Sequence, residues 1–206
     1  MNVKLPRIVL SKNIYFGGAL NYAFEYVLKN RDKYDSLMFL NSDLIIHGMN
    51  FVKTLRYTMF HEKFKIISPA IINAEFSQCH WKQMYNWNYQ YTREVKWIDF
   101  QAPLFHIDFI KRQEQYPHEL ILGWGNDIIS GINCEQWNMN IGVVDKCTIT
   151  HLNNQTVKKN ETSNDYILSN YNKIAEMKLF NFIQESDITL QNKFTEYRQW
   201  GTKYII

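Results

Sequence analysis

The chain has 206 residues but only 3 cysteines, Cys79, Cys134 and Cys147, an odd number with no Cys-x-x-Cys spacing. That argues against a disulfide framework or a cysteine zinc site, and leaves free buried thiols in a reducing compartment, with the cytoplasm as the expected location. Nor is there a run of about 18 consecutive apolar residues, the length that spans a bilayer, so no transmembrane segment is expected. Residues 1–10 include lysine, arginine and proline and lack the apolar stretch of a signal peptide. Charge of one sign is also missing. With 23 basic and 20 acidic residues, net +3 and no basic block, nothing resembles a nucleic-acid footprint. Asn154-Gln155-Thr156 and Asn160-Glu161-Thr162 match the glycosylation sequon, but in an Asn-rich chain without a secretion signal they are expected to be chance matches. No internal repeat is visible.

What is present is apolar bulk. Hydrophobic residues make up 46% and aromatics 16% of the chain, enough for a substantial core in one domain or in one domain with an appendage. Residues 7–10 read as a short strand and 11–18 as a loop. Over 19–29, Leu20, Phe24, Val27 and Leu28 recur at helical spacing. Strand 36–40, helix 50–60 and strand 64–72 follow. This alternation predicts an α/β domain with a mostly parallel sheet flanked by helices. Residues 77–96 are dense in Trp, Tyr, Gln and Asn without a clean period. They suggest a hairpin or loop whose aromatics either pack on the sheet or stack on sugars or bases. Strand-like segments at 95–98 and 102–107 precede a short helix at 109–115, a helix from 126 or 127 toward Trp137, and a strand from 141 ending at His151. A polar loop then leads to a helix over 165–184. Domain organisation is read as 1–155 for the α/β unit and 156–206 for a loop and C-terminal helical extension.

Three separated features carry chemistry. Ser36-Leu37-Met38-Phe39-Leu40-Asn41-Ser42-Asp43-Leu44-Ile45-Ile46 is an apolar run broken by two polar residues around a serine. It either caps a turn or presents Asn41 and Asp43 at the carboxyl edge of the sheet, where a hard oxygen ligand meets a divalent cation. Asp127 starts a helix after a glycine-flanked turn and is a helix cap or a functional carboxylate. His151 closes a later strand. One carboxylate and one imidazole suit Mn²⁺ or Mg²⁺ when a diphosphate and water take the remaining positions.

In this order the motifs resemble the GT-A glycosyltransferases, chiefly the family 2 type, over residues 7–155. The matching segments are Asn13-Ile14-Tyr15-Phe16-Gly17-Gly18-Ala19-Leu20-Asn21 before a helix, Leu40-Asn41-Ser42-Asp43 as a version of the metal-binding Asp-x-Asp motif, Trp97-Ile98-Asp99-Phe100, and a strand closing on His151. Gly123-Trp124-Gly125-Asn126-Asp127 is similar to the Gly-Trp-Gly-Gly-Glu-Asp loop of galactosyltransferase-like members, with Asn126 in place of the acidic residue. The family's first strand, helix and strand, which bind base and ribose, have no counterpart ahead of the glycine segment.

The resemblance implies a GT-A-like (Rossmann-like) fold and transfer of a sugar from a nucleotide-diphosphate donor to an acceptor hydroxyl, with inversion. It implies that Asp43 and His151 hold Mn²⁺ or Mg²⁺ and that Asp127 is the base. Gly17, Gly18, Asn21, Asn41 and Asp43 would serve the nucleotide and cation. Trp124, Gly125, Asn126 and Asp99 would line the sugar and acceptor side, Trp124 as a flat apolar wall. Two other readings are a noncatalytic glycan- or nucleotide-binding module using the aromatic segment at 81–91, and an interaction protein docking through the helix at 165–184.

Overall fold

In the computed structural model, which describes residues 10–72, 81–89, 91–152 and 166–203, six strands form one sheet accompanied by seven α-helices among those residues. Helix α1, Tyr15–Lys29, buries Leu20, Phe24 and Val27 along one face. It begins four residues before the expected start, so Gly17 and Gly18 lie inside the helix and not in a loop. The cause is a close approach: the Gly17 N–H donates to the Ile121 carbonyl at 2.7 Å, and a Cβ on Gly17 would lie 2.6 Å from the Leu120 carbonyl oxygen. Only glycine lets the helix start against that backbone.

Strand β1, Ser36–Met38, is followed by β2, Leu44–His47, then helix α2, Phe51–His61, and strand β3, Ile66–Ile71. Next come β4, Thr92–Val95, and β5, Leu104–His106, leading directly into helix α3, Ile107–Gln113. Helix α4, Asn126–Gln136, precedes the long strand β6, Ile141–His151. The helix expected over 165–184 is two helices, α5, Tyr166–Ser169, and α6, Tyr171–Glu185, and they are followed by α7, Ile188–Lys203, which was not expected.

The fold is α/β, but the sheet is mixed and not mostly parallel. Strand order is β1-β5-β3-β6-β2, with β4 also on β6; only the β3–β6 pair is parallel, and the other four pairings are antiparallel. The alternation of strand and helix in the sequence misled because β5 inserts between β1 and β3, and because the apolar resumption at 44–46 is a separate strand. Strands β1 and β2 stand at opposite ends of the strand order, although residues 39–43 alone connect them. The segment runs beside residues 101–103 and then turns at 42–43 into β2. The connection therefore runs across one edge of the sheet.

Strand β6 organises the rest. Its first half pairs with β4 and its second half with β2, while β3 flanks it throughout. The β3 register jumps from Pro69 opposite Val144 to Ala70 opposite Thr148, so Asp145, Lys146 and Cys147 are extra residues on β6. Pro69 has no N–H to offer the ladder and sits where the ladder breaks. The bulge turns the Asp145 carboxylate onto Arg93: Nε donates at 3.1 Å and Nη2 at 2.8 Å, with both side chains almost wholly buried. Arg93 also donates to the carbonyls of Gln83 and Tyr85, and the Trp87 and Tyr89 amides donate to Asp145. The segment at 81–89 is thus a loop pinned to one buried ion pair, with Trp81 packed edge-on against Trp97 at 4.8 Å between ring centroids.

A large apolar core, including Phe24, Phe100 and Phe105, fills the space around the sheet. A second cluster, Trp97, Ile128, Ile132, Phe194 and Tyr197, joins α4 to α7, with the Trp97 Nε1–H donating to the Tyr197 carbonyl at 2.9 Å. Cys134 and Cys147 are free and buried, their thiols pushed up to about 12 and about 11 by burial. Cys79, both sequons, the start of the first expected strand and the expected boundary at 155–156 lie outside the described residues. No described helix is long and apolar enough to cross a membrane.

Removing one member of a buried ion pair strands the other. Asp145→Ala should therefore cost about 3–5 kcal/mol in urea unfolding. A loss under about 1 kcal/mol would show that the pair contributes no more than an exposed one.

Candidate active site

The connection between β1 and β2 meets two other turns at the edge of the sheet where β6 ends. Leu44 pairs with His151 in the β2–β6 ladder, and the Leu152 N–H donates to the Asp43 carbonyl at 2.8 Å. This places Asp43 beside His151: the distance from His151 Nε2 to Asp43 Oδ2 is 3.3 Å, and both side chains are about nine-tenths buried. Along the same connection the Phe39 N–H donates to Pro103 and the Asn41 N–H to Gln101, each at 3.0 Å. The turn before β5 is thereby tied to the strand end bearing Asn41 and Asp43.

That turn carries Asp99. Gln101 Nε2 donates to Asp99 Oδ2 at 2.8 Å, and the Gln101 N–H donates to the Asp99 carbonyl at 2.8 Å. Burial raises the Asp99 carboxyl above the ordinary range, partly offset by the Gln101 bond and by the nearby His151. Asp127 lies next in the chain of interactions. Burial, followed by the charge of Asp99, pushes its carboxyl up to about 8. A carboxyl raised that far holds its proton at neutral pH, and its ionised fraction is a stronger base than an ordinary aspartate.

Asp127 does not cap its helix. The residue ahead of α4 is Gly125, in the left-handed region at φ 91°, and no side chain caps that end. Asp127 accepts instead from the adjacent Ile128 amide at 2.8 Å. Gly123, at φ 98°, brackets Trp124 on the other side, leaving the indole 40% exposed. Both glycines are required twice over: a Cβ on Gly123 would strike the Phe16 ring at 2.4 Å, and one on Gly125 would strike Leu179 at 2.7 Å. The C-terminal helices therefore brace this loop, with Leu179 and Phe194 against Gly125 and the Tyr171 hydroxyl donating to the Leu122 carbonyl. The glycine segment reaches it too, through Phe16, whose ring also meets Phe39 edge-on at 4.9 Å.

The structure thus brings Asp43, His151, Asp99 and Asp127 into one interacting series and sets Asn41 and Trp124 on its flanking turns. The Gly17 and Gly18 region enters through packing. Gly17 meets protein backbone, and Asn21 is engaged in a two-way clamp with the Tyr116 backbone at 2.7 and 3.0 Å. Asn126 is fully buried, with Nδ2 donating to Leu120 at 3.4 Å. Sequence reasoning missed Gln101. Its position two residues after Asp99, in the same turn, was the available signal.

Three buried polar atoms here lack a hydrogen-bond partner: His151 Nδ1, Gln101 Oε1 and Asn126 Oδ1. No group of three or more His, Cys, Asp or Glu that could hold a metal occurs among the described residues; Asp43 and His151 stand as a pair. Two ligands at about 2.1 Å on adjacent octahedral positions stand about 3 Å apart. The 3.3 Å separation of Asp43 and His151 is close to that, and the oxygen and nitrogen donors suit Mn²⁺ or Mg²⁺ completed by diphosphate and water. A cleft of about 460 Å³ opens elsewhere, near the beginning of β6, lined in part by Lys96, Cys134, Met139, Tyr197 and Trp200. Of its charged lining, Lys96 pairs with Glu196 and Glu135 with Lys193.

Comparison with known proteins adds little. No family model matches the chain, and no curated protein matches it. Among solved structures, A197 from STIV is similar at 16% identity over 70% of this chain and 71% of that one, with a TM-score of 0.49. A likeness at that level bears on neither fold family nor function.

The shifted Asp127 makes a stability prediction. Between its ordinary value, 3.8, and about 8 the native carboxyl holds a proton that the unfolded chain has released, so its contribution to stability falls as pH rises through that window. Asp127→Asn removes the penalty. The variant should melt higher than the parent by a margin that grows from pH 5 to pH 8; a margin that shrinks over that range would contradict the assigned environment.

Proposed function

We propose that the chain is a metal-dependent glycosyltransferase of GT-A-like architecture, moving a sugar from a nucleotide-diphosphate donor to an acceptor hydroxyl with inversion. The observation that carries the reading is the series Asp43–His151–Asp99–Asp127, in which a candidate cation pair is linked electrostatically to a carboxyl raised to about 8. These are the two functions the chemistry needs, charge neutralisation on the leaving group and a base for the attacking hydroxyl.

Asp43 Oδ2 and His151 Nε2 would hold the cation, which when bound offsets the charge that develops on the departing diphosphate. Asp127, in its ionised form, takes the proton of the acceptor hydroxyl, so transfer should rise as pH approaches about 8. Asp99 keeps the Asp127 carboxyl basic by setting a second negative charge near it. Trp124, half exposed between two glycines, offers its ring to the C–H face of a pyranose. With Asp127 as base and not nucleophile, a single displacement inverts the anomeric centre; this stereochemistry rests on analogy to the resembled family. A second reading, a glycan-binding module without turnover, has one observation in its favour. Tyr89 and Tyr91 stack at 5.0 Å, with Tyr91 well exposed, as an aromatic platform for a sugar.

Thermal unfolding separates the two. Mn²⁺ with UDP, GDP or dTDP at a hundredfold excess over Kd stabilises by about 2.7 kcal/mol, which for a chain of this size raises Tm by roughly 5–10 °C. Asp43→Ala should abolish that shift. No shift with any of the three nucleotides would overturn the reading, and glycan binding that persists in EDTA would favour the module. Asp127→Asn should keep nucleotide binding and lower donor hydrolysis by about 10²–10⁴-fold. Loss of binding in that variant would give Asp127 a donor-site role instead.

A further inference from the structure

We propose that the outer face of helix α2, with the turn at 48–50 that leads into it, docks the protein on an anionic lipid surface. Such attachment needs nothing from the transfer chemistry proposed above.

Helix α2 is apolar on two sides. Its inner face buries Phe51, Leu55, Thr58 and Met59 against the sheet. A surface helix ordinarily carries polar side chains opposite such a face. Here one outer row is Val52, Arg56 and Phe60 at i, i+4 spacing, and Lys53, Tyr57 and His61 form the row beside it. Val52 is 51% and Tyr57 66% exposed, and Phe60 is exposed as well. Just ahead of the helix, Gly48 adopts the left-handed region at φ 92°, and Met49 is fully exposed. Ile46, also exposed, extends the same side. It pairs with Ile149, two residues beyond Cys147, whose thiol donates to the Phe51 carbonyl at 3.8 Å. Single exposed apolar residues are ordinary, but a run of them along one turn and one helix face marks a binding surface.

The charge of this face selects the partner. Over residues 44–63 the cations Lys53, Arg56 and Lys63 stand against the single acid Glu62, and α2 itself has no acid. Arg56 lies over the Phe60 ring at 4.9 Å and pairs with Asp35 at the surface, while Tyr57 stacks on His61 at 5.2 Å. Lys53 and Lys63 enter no ion pair among the described residues. A bilayer interface with anionic headgroups matches all three kinds of side chain. Met49, Val52 and Ile46 enter the acyl boundary, the rings lie at headgroup level, and the cations meet the anionic headgroups. Nucleic acid would engage the cations and stack on Tyr57, but offers the aliphatic side chains nothing. Another exposed apolar pair, Met177 and Phe180 on α6, lacks this bias, because Glu176 and Glu185 balance Lys173 and Lys178 on that helix.

Cosedimentation of the full chain with vesicles tests the proposal. Binding is expected to mixed phosphatidylserine–phosphatidylcholine vesicles and should fall at least about tenfold on phosphatidylcholine alone or in about 0.5 M salt. Lys53→Gln with Lys63→Gln should weaken it by about fivefold per charge. Met49→Ser with Val52→Ser should weaken it at least about tenfold, with Tm within about 2 °C of the parent because both side chains are exposed. Undiminished binding by the serine variant would reduce the face to a charge contact and overturn the proposal. So would the absence of vesicle binding, whether the face instead binds single-stranded RNA or forms a dimer that the serine variant dissociates. Hydrogen exchange locates the contact. Vesicles should slow exchange over residues 46–60 and leave α6 unchanged; slowing confined to α6 would contradict the assignment.

Discussion

The site depends on an imbalance of charge: Asp43, Asp99 and Asp127 form a series of acidic groups served by one imidazole. Asp127 feels Asp99, and Asp99 feels His151, while Asp43 lies 3.3 Å from the same ring. Buried carboxylates that cannot all ionise either keep protons or recruit a cation. Asp127 follows the first course, raised to about 8. Asp43, with an imidazole beside it at 3.3 Å, is the one for which we propose the second. Both halves of the proposed chemistry draw on this one buried acidic series.

The backbone makes that crowding possible. Residues 39–43 cross the sheet from β1 to β2, β6 delivers His151 after its bulge, and the turn at 99–101 is bonded to the crossing segment at Asn41. Each of these supports is anchored away from the acidic series. The bulge is held by Arg93 and Asp145, and the Gly123–Gly125 turn is filled from behind by Phe16, Leu179 and Phe194. The C-terminal helices therefore belong to the physical support of Asp127.

The sequence made much of this legible, and its failures have physical reasons. Helices α1, α2 and α4 and the strand ending at His151 were readable because their apolar positions keep a period. Sheet order was not, because β5 is short and no local pattern states which strand it joins. The helix α7 was missed because Phe194 and Tyr197 are isolated among polar residues, although both are buried against α4. At the site, Asp43 and His151 stood out beside apolar runs, and Asp127 as the start of a helix after a glycine-flanked turn. Gln101 and the pair of Arg93 and Asp145 did not, since a buried polar contact leaves no periodic trace. Gly17 and Asn21 invited a ligand-binding role from their place before a helix, while their observed partners are backbone groups of residues 116 and 120–121.

The central claim is that Asp43 and His151 jointly hold a divalent cation. Anomalous diffraction at the manganese edge, from crystals grown with Mn²⁺ and UDP or GDP, tests it most directly. The account predicts one strong peak within ligand distance of both Asp43 Oδ2 and His151 Nε2. It is contradicted if nucleotide is visible without manganese there and the imidazole remains bonded directly to the Asp43 carboxylate.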